Sequence, residues 1–236
     1  MNALTRSLTA YWSSSIGKKF VVALTGAFLV LFLAGHLAGN MLIYVGADAF
    51  NAYADQLHTM LNGTGVWFAR IALLGAFVLH IAATISLTRQ NRAARKQYEH
   101  KATIQATRSS RLMILSGLTI VAFVIYHILH FTARVGNEYN NPELYTYMLD
   151  GREVHNAWQM VIDGFSWWPA TLFYIIAMVL LASHLTHGVQ SIFQTLGWRS
   201  KKSANLIDTF AKGYTAVIFI GFISIPIAIQ VFRFGR

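Results

Sequence analysis

Six histidines sit inside or at the edge of long apolar stretches of this chain, and they are the residues whose chemistry most needs explaining. His36, His80, His127 and His184 each fall in a different stretch, and His130 and His187 follow the last two by three residues. Ionisable groups inside an apolar segment of membrane length are costly and usually functional. One such imidazole can be explained by a hydrogen bond to a neighbouring helix. Four stretches carrying one each point to a shared task. Neutral imidazole binds metals through either ring nitrogen, so histidines that face one another in pairs would form two-ligand metal sites.

The elements that must hold them follow from composition. Of the 236 residues 55% are hydrophobic and only 12% charged, whereas a soluble domain carries about 25% charged residues. The apolar residues form five blocks, at 20–45, 66–88, 112–133, 168–195 and 213–232. Each exceeds the roughly 18 residues needed to span a bilayer core. The expected fold is a single all-α integral membrane domain, 1–236, built as a five-helix bundle. Pro226 and the glycines within the blocks are compatible with this, because neighbouring helices re-satisfy freed backbone groups. Lys18 and Lys19 before the first block imitate a signal peptide, but the block is longer than an h-region of about 7–15 residues.

Charge placement gives an orientation. Fourteen of the nineteen Lys and Arg residues fall on one side: Arg6, Lys18 and Lys19; Arg89, Arg92, Arg95, Lys96, Lys101, Arg108 and Arg111; and Arg199, Lys201, Lys202 and Lys212. Arg70, Arg134, Arg152, Arg233 and Arg236 fall on the other. The positive-inside rule puts the N-terminus in the cytoplasm, with the chain multi-pass in the cytoplasmic membrane. The net charge of +10 is thereby explained by topology. A nucleic-acid partner is not expected, since the basic residues sit in short segments between apolar blocks rather than on one soluble face. With no cysteine, the chain forms no disulfide and supplies no thiolate to an iron–sulfur cluster. The long third loop holds Val154, Ala157, Trp158, Val161 and Ile162 at helical spacing, which predicts a short helix on the outer surface.

Depth sorts the histidines. His36 is sixteen residues beyond Phe20 and His127 sixteen beyond Arg111, each roughly 24 Å from the cytoplasmic face at the helical rise. His80 is thirteen residues after Trp67 and His184 sixteen after Trp168, roughly 20–24 Å from the opposite face. The result is an outer layer of His36 with His127 and an inner layer of His80 with His184, roughly 15 Å apart across the bilayer core. Two imidazoles facing across a bundle suit haem iron and leave no open position for oxygen chemistry, which favours electron transfer. A structural zinc would want four ligands in one place.

Small residues beside the histidines leave room for a planar guest: Ala34, Gly35, Ala38 and Gly39 around His36, then Gly75, Ala76, Gly117 and Gly188. They also serve ordinary helix packing. Gly17 and Ser13-Ser14-Ser15 before the first block form either a helix cap or a haem-propionate site. Arg92 and Arg95 could pair with propionates or simply mark the cytoplasmic side.

These residues carry a resemblance. The stretches SSSIGKKFVVALTGAFLVLFLAGHLAGN, SGLTIVAFVIYHILHF and LFYIIAMVLLASHLTHGVQSIFQTLG resemble the di-haem cytochrome b membrane subunit of succinate:quinone oxidoreductases and fumarate reductases, the single-subunit five-helix type. The likeness runs over nearly the whole chain and includes the helix order and the long third loop. It implies a bundle enclosing two stacked b-type haems ligated by His36, His80, His127 and His184, with His130 and His187 as neighbours that bond propionates or quinone, or only pack. It implies partners as well: a flavoprotein that handles the dicarboxylate, an iron–sulfur subunit docked on the cytoplasmic face, and quinone, with higher oligomers of the complex open. Relatives that use menaquinone place it at the outer side. There the candidates are Tyr53, Asp55, His58, Glu143 and Trp158; at the inner face they are Ser13, Ser14, Lys18, Arg92 and Tyr98. Some relatives carry a glutamate two residues before the last ligand for proton movement, where this chain has Ala182, so that route is not expected here. The competing readings are the cytochrome b anchor of a hydrogenase or formate dehydrogenase, and a transporter of metal or protons. Spans without carboxylates speak against the transporter.

Overall fold

The computed structural model describes Asn2, Arg6 and residues 11–94 and 108–236; Arg95, Lys96, Tyr98 and Lys101 lie outside them. In chain order the elements are α1 (Ser15–Met41, prolonged by a 3₁₀ turn Leu42–Tyr44), α2 (Ala47–Thr59), α3 (Thr64–Ala94), α4 (Arg108–His127, prolonged by a π-helical turn Ile128–Thr132), α5 (Pro142–Tyr145), β1 (Thr146–Leu149), β2 (Arg152–His155), α6 (Ala157–Ser166), α7 (Trp168–Thr195) and α8 (Ala204–Gln230). Five of these, α1, α3, α4, α7 and α8, are long and apolar enough to cross a membrane. Only 6% of the most apolar window of α3 is buried, against 33% for α7. Helices that keep so much apolar surface uncovered need lipid as their solvent, and the chain is a multi-pass membrane protein.

The span ends differ from the apolar blocks for local reasons. α1 begins at Ser15 because Ser14 caps it, its hydroxyl oxygen accepting from the Gly17 amide at 2.9 Å, as N-cap serines do. α8 begins nine residues before its apolar block, so Lys212 lies on the helix and not in the fourth loop. Ile207 and Ala211 give that early turn a buried face, which hydropathy averaging overlooks because Asp208 and Lys212 dilute the window. α7 ends at Gly197, whose positive φ of 78° allows the reversal. The Trp198 amide then donates to the Phe193 carbonyl and the Gly197 amide to the Gln194 carbonyl. Together with the Phe193–Trp198 ring contact this is a Schellman stop.

Packing is uneven around the bundle. α1 packs on α3, α7 and α8; α7 packs on α8 and on α4. No packing of comparable extent among the described residues joins α1 to α4, α3 to α7, or α3 to α4. A buried apolar seam of Leu37, Ala177, Met178, Leu181, Leu185 and Ile218 locks α1, α7 and α8 together.

The other end of the core is a plug. The third loop was expected to hold one surface helix that included Val154. Instead Val154 belongs to β2, and the helix α6 buries Met160, Val161, Ile162 and Phe165 against the ends of the spans. β1 and β2 form an antiparallel hairpin in which Leu149 pairs with Arg152. Its turn is Asp150-Gly151, both at positive φ, the dipeptide that two-residue hairpin turns favour. α2, in the first loop, packs on both strands and on α6. Asn51 is the polar knot of this end. It is fully buried, donates to Asn156 at 3.1 Å and accepts the Trp158 amide at 2.9 Å.

Candidate functional site: two histidine pairs across the bundle

The structure brings the span histidines together in two groups. The ring centroids of His36 and His127 lie 5.8 Å apart, edge to face. His127 interacts electrostatically with His36 and His130, and His184 with His80 and His187. Each pair joins helices that do not pack on each other: His36 to His127 links α1 with α4, and His80 to His184 links α3 with α7. His36 and His127 therefore reach across the gap that the backbone leaves open between α1 and α4.

Three of the four have one ring nitrogen tied to a hydroxyl on a neighbouring helix. Thr25 on α1 lies 3.1 Å from Nδ1 of His80, Ser116 on α4 lies 3.3 Å from Nδ1 of His184, and Tyr174 on α7 lies 3.2 Å from Nδ1 of His127. The direction of one of these bonds, that of Thr25, follows from proton counting. The Thr25 hydroxyl donates to the Val21 carbonyl at 2.6 Å and the Ser116 hydroxyl donates to the Met113 carbonyl at 3.2 Å. The Thr25 hydroxyl has one proton, held in the short bond to Val21, so its oxygen accepts Nδ1–H from His80. With Nδ1 of His80 protonated, its Nε2 is left with a bare lone pair. Among the described residues, Nε2 of His127 and His184 makes no hydrogen bond, while His80 also donates to the Val22 carbonyl. This arrangement suits a metal-binding imidazole, whose other ring N–H is held by an outer group. His36 lacks such a hydroxyl. Asn40 donates to its carbonyl at 2.7 Å and approaches the two ring nitrogens only at 3.4 and 3.5 Å.

The separation of His36 and His127 can be set against that of a bis-imidazole metal. Two imidazole nitrogens each about 2 Å from one metal put the ring centroids about 6 Å apart, close to the separation of His36 and His127. The walls are aromatic: Phe32 stacks on His36, Phe123 stacks on His127, and Phe222 tilts against His36. Such faces suit a flat macrocycle. The small residues divide by role. Gly35, Gly75 and Gly188 have nothing within 4 Å of where a Cβ would lie. Gly117 borders His184 at 3.8 Å, and Gly39 instead seats the ring of Tyr53. Gly26, not singled out from the sequence, leaves the His80 ring 3.3 Å from its would-be Cβ.

The remaining sequence candidates have local engagements. His130 is buried, with Nδ1 at 3.3 Å from the Tyr174 hydroxyl, and His187 reaches Ser191 at 3.2 Å. Ser14 serves as the α1 cap and also donates to the Tyr11 carbonyl. Arg92 lies exposed in the last turn of α3. Lys18 is buried and donates to Gln90 at 3.1 Å, joining α1 to α3. At the plugged end Asp55 forms an ion pair with Arg152 at 2.8 Å, His58 bonds the Ala54 carbonyl, and the Trp158 indole donates to the Ile43 carbonyl. Glu143 is exposed. The partners that sequence reading missed, Thr25, Ser116, Tyr174 and Gln90, are ordinary residues far away in the chain. The Asp150-Gly151 turn was the one missed feature with a local signal.

Fold and site together define a multi-pass helical membrane protein with paired histidines inside its bundle. Comparison with family models, curated proteins and solved structures returns no match to this chain.

Proposed function

We propose that this chain is the membrane-anchor cytochrome b subunit of a succinate dehydrogenase or fumarate reductase complex. In this reading it lies in the cytoplasmic membrane with its N-terminus inside and carries electrons between an iron–sulfur subunit and quinone, of the menaquinone type. His80 and His184 hold the inner of two b-type haems, and His36 and His127 the outer. Bound there, the haems supply reversible one-electron redox chemistry with no open coordination position. The chain itself tethers the ligands through Thr25, Ser116 and Tyr174, excludes water with aromatic walls, and presents basic segments to its partners. Dicarboxylate chemistry belongs to a separate flavoprotein and cluster electron transfer to an iron–sulfur protein, since this chain has no dinucleotide fingerprint and no cysteine.

One observation carries the reading: His36 and His127 face each other with ring centroids 5.8 Å apart across helices that otherwise leave a gap. The deciding experiment is a reduced-minus-oxidised spectrum of the protein purified from its native membrane, with the co-purifying subunits identified. Expected are b-type haem bands at two haems per chain, accompanied by a flavoprotein and an iron–sulfur protein. A preparation without haem bands overturns the reading; haem with a different set of partners keeps the cytochrome and overturns the complex.

A further inference from the structure

The second histidine of the His127-x-x-His130 pair is not needed as a ligand, yet it is buried and ordered on every side. Its ring packs on Phe131 with centroids 4.0 Å apart, and its carbonyl accepts from Asn137 at 3.1 Å. It sits in the π-helical turn Ile128–Thr132 that prolongs α4, a local irregularity often found at functional sites. Its Nδ1 faces the Tyr174 hydroxyl at 3.3 Å, and that hydroxyl also faces Nδ1 of His127 at 3.2 Å.

A phenol between two Nδ1 atoms has one proton to give. It donates to one histidine and must accept from the other. The inner pair shows one way such a contact runs in this bundle: Thr25 sends its proton to the Val21 carbonyl at 2.6 Å and presents bare oxygen to His80. Tyr174 sits too far from its own helix backbone to do the same, since a phenol is carried on a rigid ring. It needs an acceptor from elsewhere, and His130 lies in that place.

We propose that His130 and Tyr174 are positioning residues for His127: Tyr174 donates its proton to Nδ1 of His130, accepts Nδ1–H of His127, and so keeps Nε2 of His127 as the metal-facing nitrogen. The far nitrogen of His130, Nε2, then carries its own proton, directed at the Tyr139 hydroxyl 3.5 Å away. The chain of contacts has a single polarity, from His127 through Tyr174 and His130 to Tyr139. The inference rests on the haem reading above and adds to it a role for the second histidine and for a tyrosine that no spacing rule connects to it.

The test uses the whole purified complex and potentiometric titration of each haem, with low-temperature electron paramagnetic resonance of the oxidised protein. In Tyr174→Phe the ring is kept and the acceptor for His127 Nδ1–H is lost. The outer haem is expected to stay bound, with its midpoint potential raised, because an imidazole whose N–H is no longer held is a poorer donor. Its low-spin signal shifts while the inner haem is unchanged. His130→Leu removes the acceptor for the tyrosine proton and is expected to perturb the outer haem alone. His130→Gln, whose amide oxygen can accept that proton, restores the wild-type potential and signal. Unchanged outer-haem properties in Tyr174→Phe, or equal shifts or loss at both haems, overturn the proposal. So does a His130→Gln variant no better than His130→Leu. A wild-type protein with no haem bands would instead bring down the cytochrome reading, and this inference with it.

Discussion

His36 and His127 stand with their ring centroids 5.8 Å apart, on two helices whose backbones do not pack together. Leu37, the next residue and about 100° further round α1, is buried against α7 and α8, and a Cβ on Gly221 would collide with it. The seam that fixes α1 in the bundle thus also aims His36 into the gap toward α4.

From that relationship follows a ligand test. His127→Ala and His36→Ala are each expected to leave one haem per chain instead of two, whereas His130→Ala keeps both, because a bis-imidazole site loses its iron hold when either ligand goes. Haem-to-protein stoichiometry by the pyridine haemochrome method reads the result. Loss of a haem in His130→Ala with none in His127→Ala would show the wrong member of the pair had been chosen.

Gly26 gives a test at the inner pair. A Cβ there would lie 3.3 Å from Cε1 of His80, tighter than the 3.8 Å between a Cβ at Gly117 and the His184 ring. Gly26→Val should therefore push His80 off Thr25 and deplete the inner haem while sparing the outer one. Gly117→Val, with more room, should deplete it less. The reverse order of haem loss would contradict this packing.

At the plugged end, burial separates two polar contacts of similar length. Asn51→Leu removes the fully buried acceptor of the part-buried Trp158 amide and should destabilise by about 1–3 kcal/mol, the usual cost of leaving such a group unsatisfied. Asp55→Asn breaks an ion pair whose arginine side is 60% exposed and should cost about 0–1 kcal/mol. Thermal unfolding in detergent measures both, and a larger loss for Asp55→Asn would refute the ranking.

His155, in β2, sets a pH dependence. Burial, with Arg134 and then His58 nearby, pushes its imidazole down to about 4, and its Nε2 is buried without a partner among the described residues. In the unfolded chain the group protonates near its ordinary pKa of about 6.5. As pH falls through that value the unfolded state takes up the proton first, so stability declines from about pH 6.5 to about pH 4 and below that no longer responds to this group. His155→Gln should flatten the melting-temperature profile across this window. An identical slope in the variant would assign the dependence to other groups.

The five spans, and the pairing of His36 with His127, were legible in the sequence alone. Bilayer thickness imposes a minimum length on apolar runs, and the helical rise converts residue count into height; neither needs a neighbour. Span ends were less legible, because capping by Ser14 and the amphipathic first turns of α8 depend on single residues that hydropathy averaging blurs. The tertiary structure decided what faces what. Which helices pack and which leave a gap depends on side-chain volume on several helices at once, as at Gly26 and His80. The partners of the imidazoles, Thr25, Ser116 and Tyr174, lie 55, 68 and 47 residues away in the chain, and nothing in their own surroundings marks them. A hydroxyl becomes a histidine's tether only when folding puts it there and gives its proton somewhere else to go.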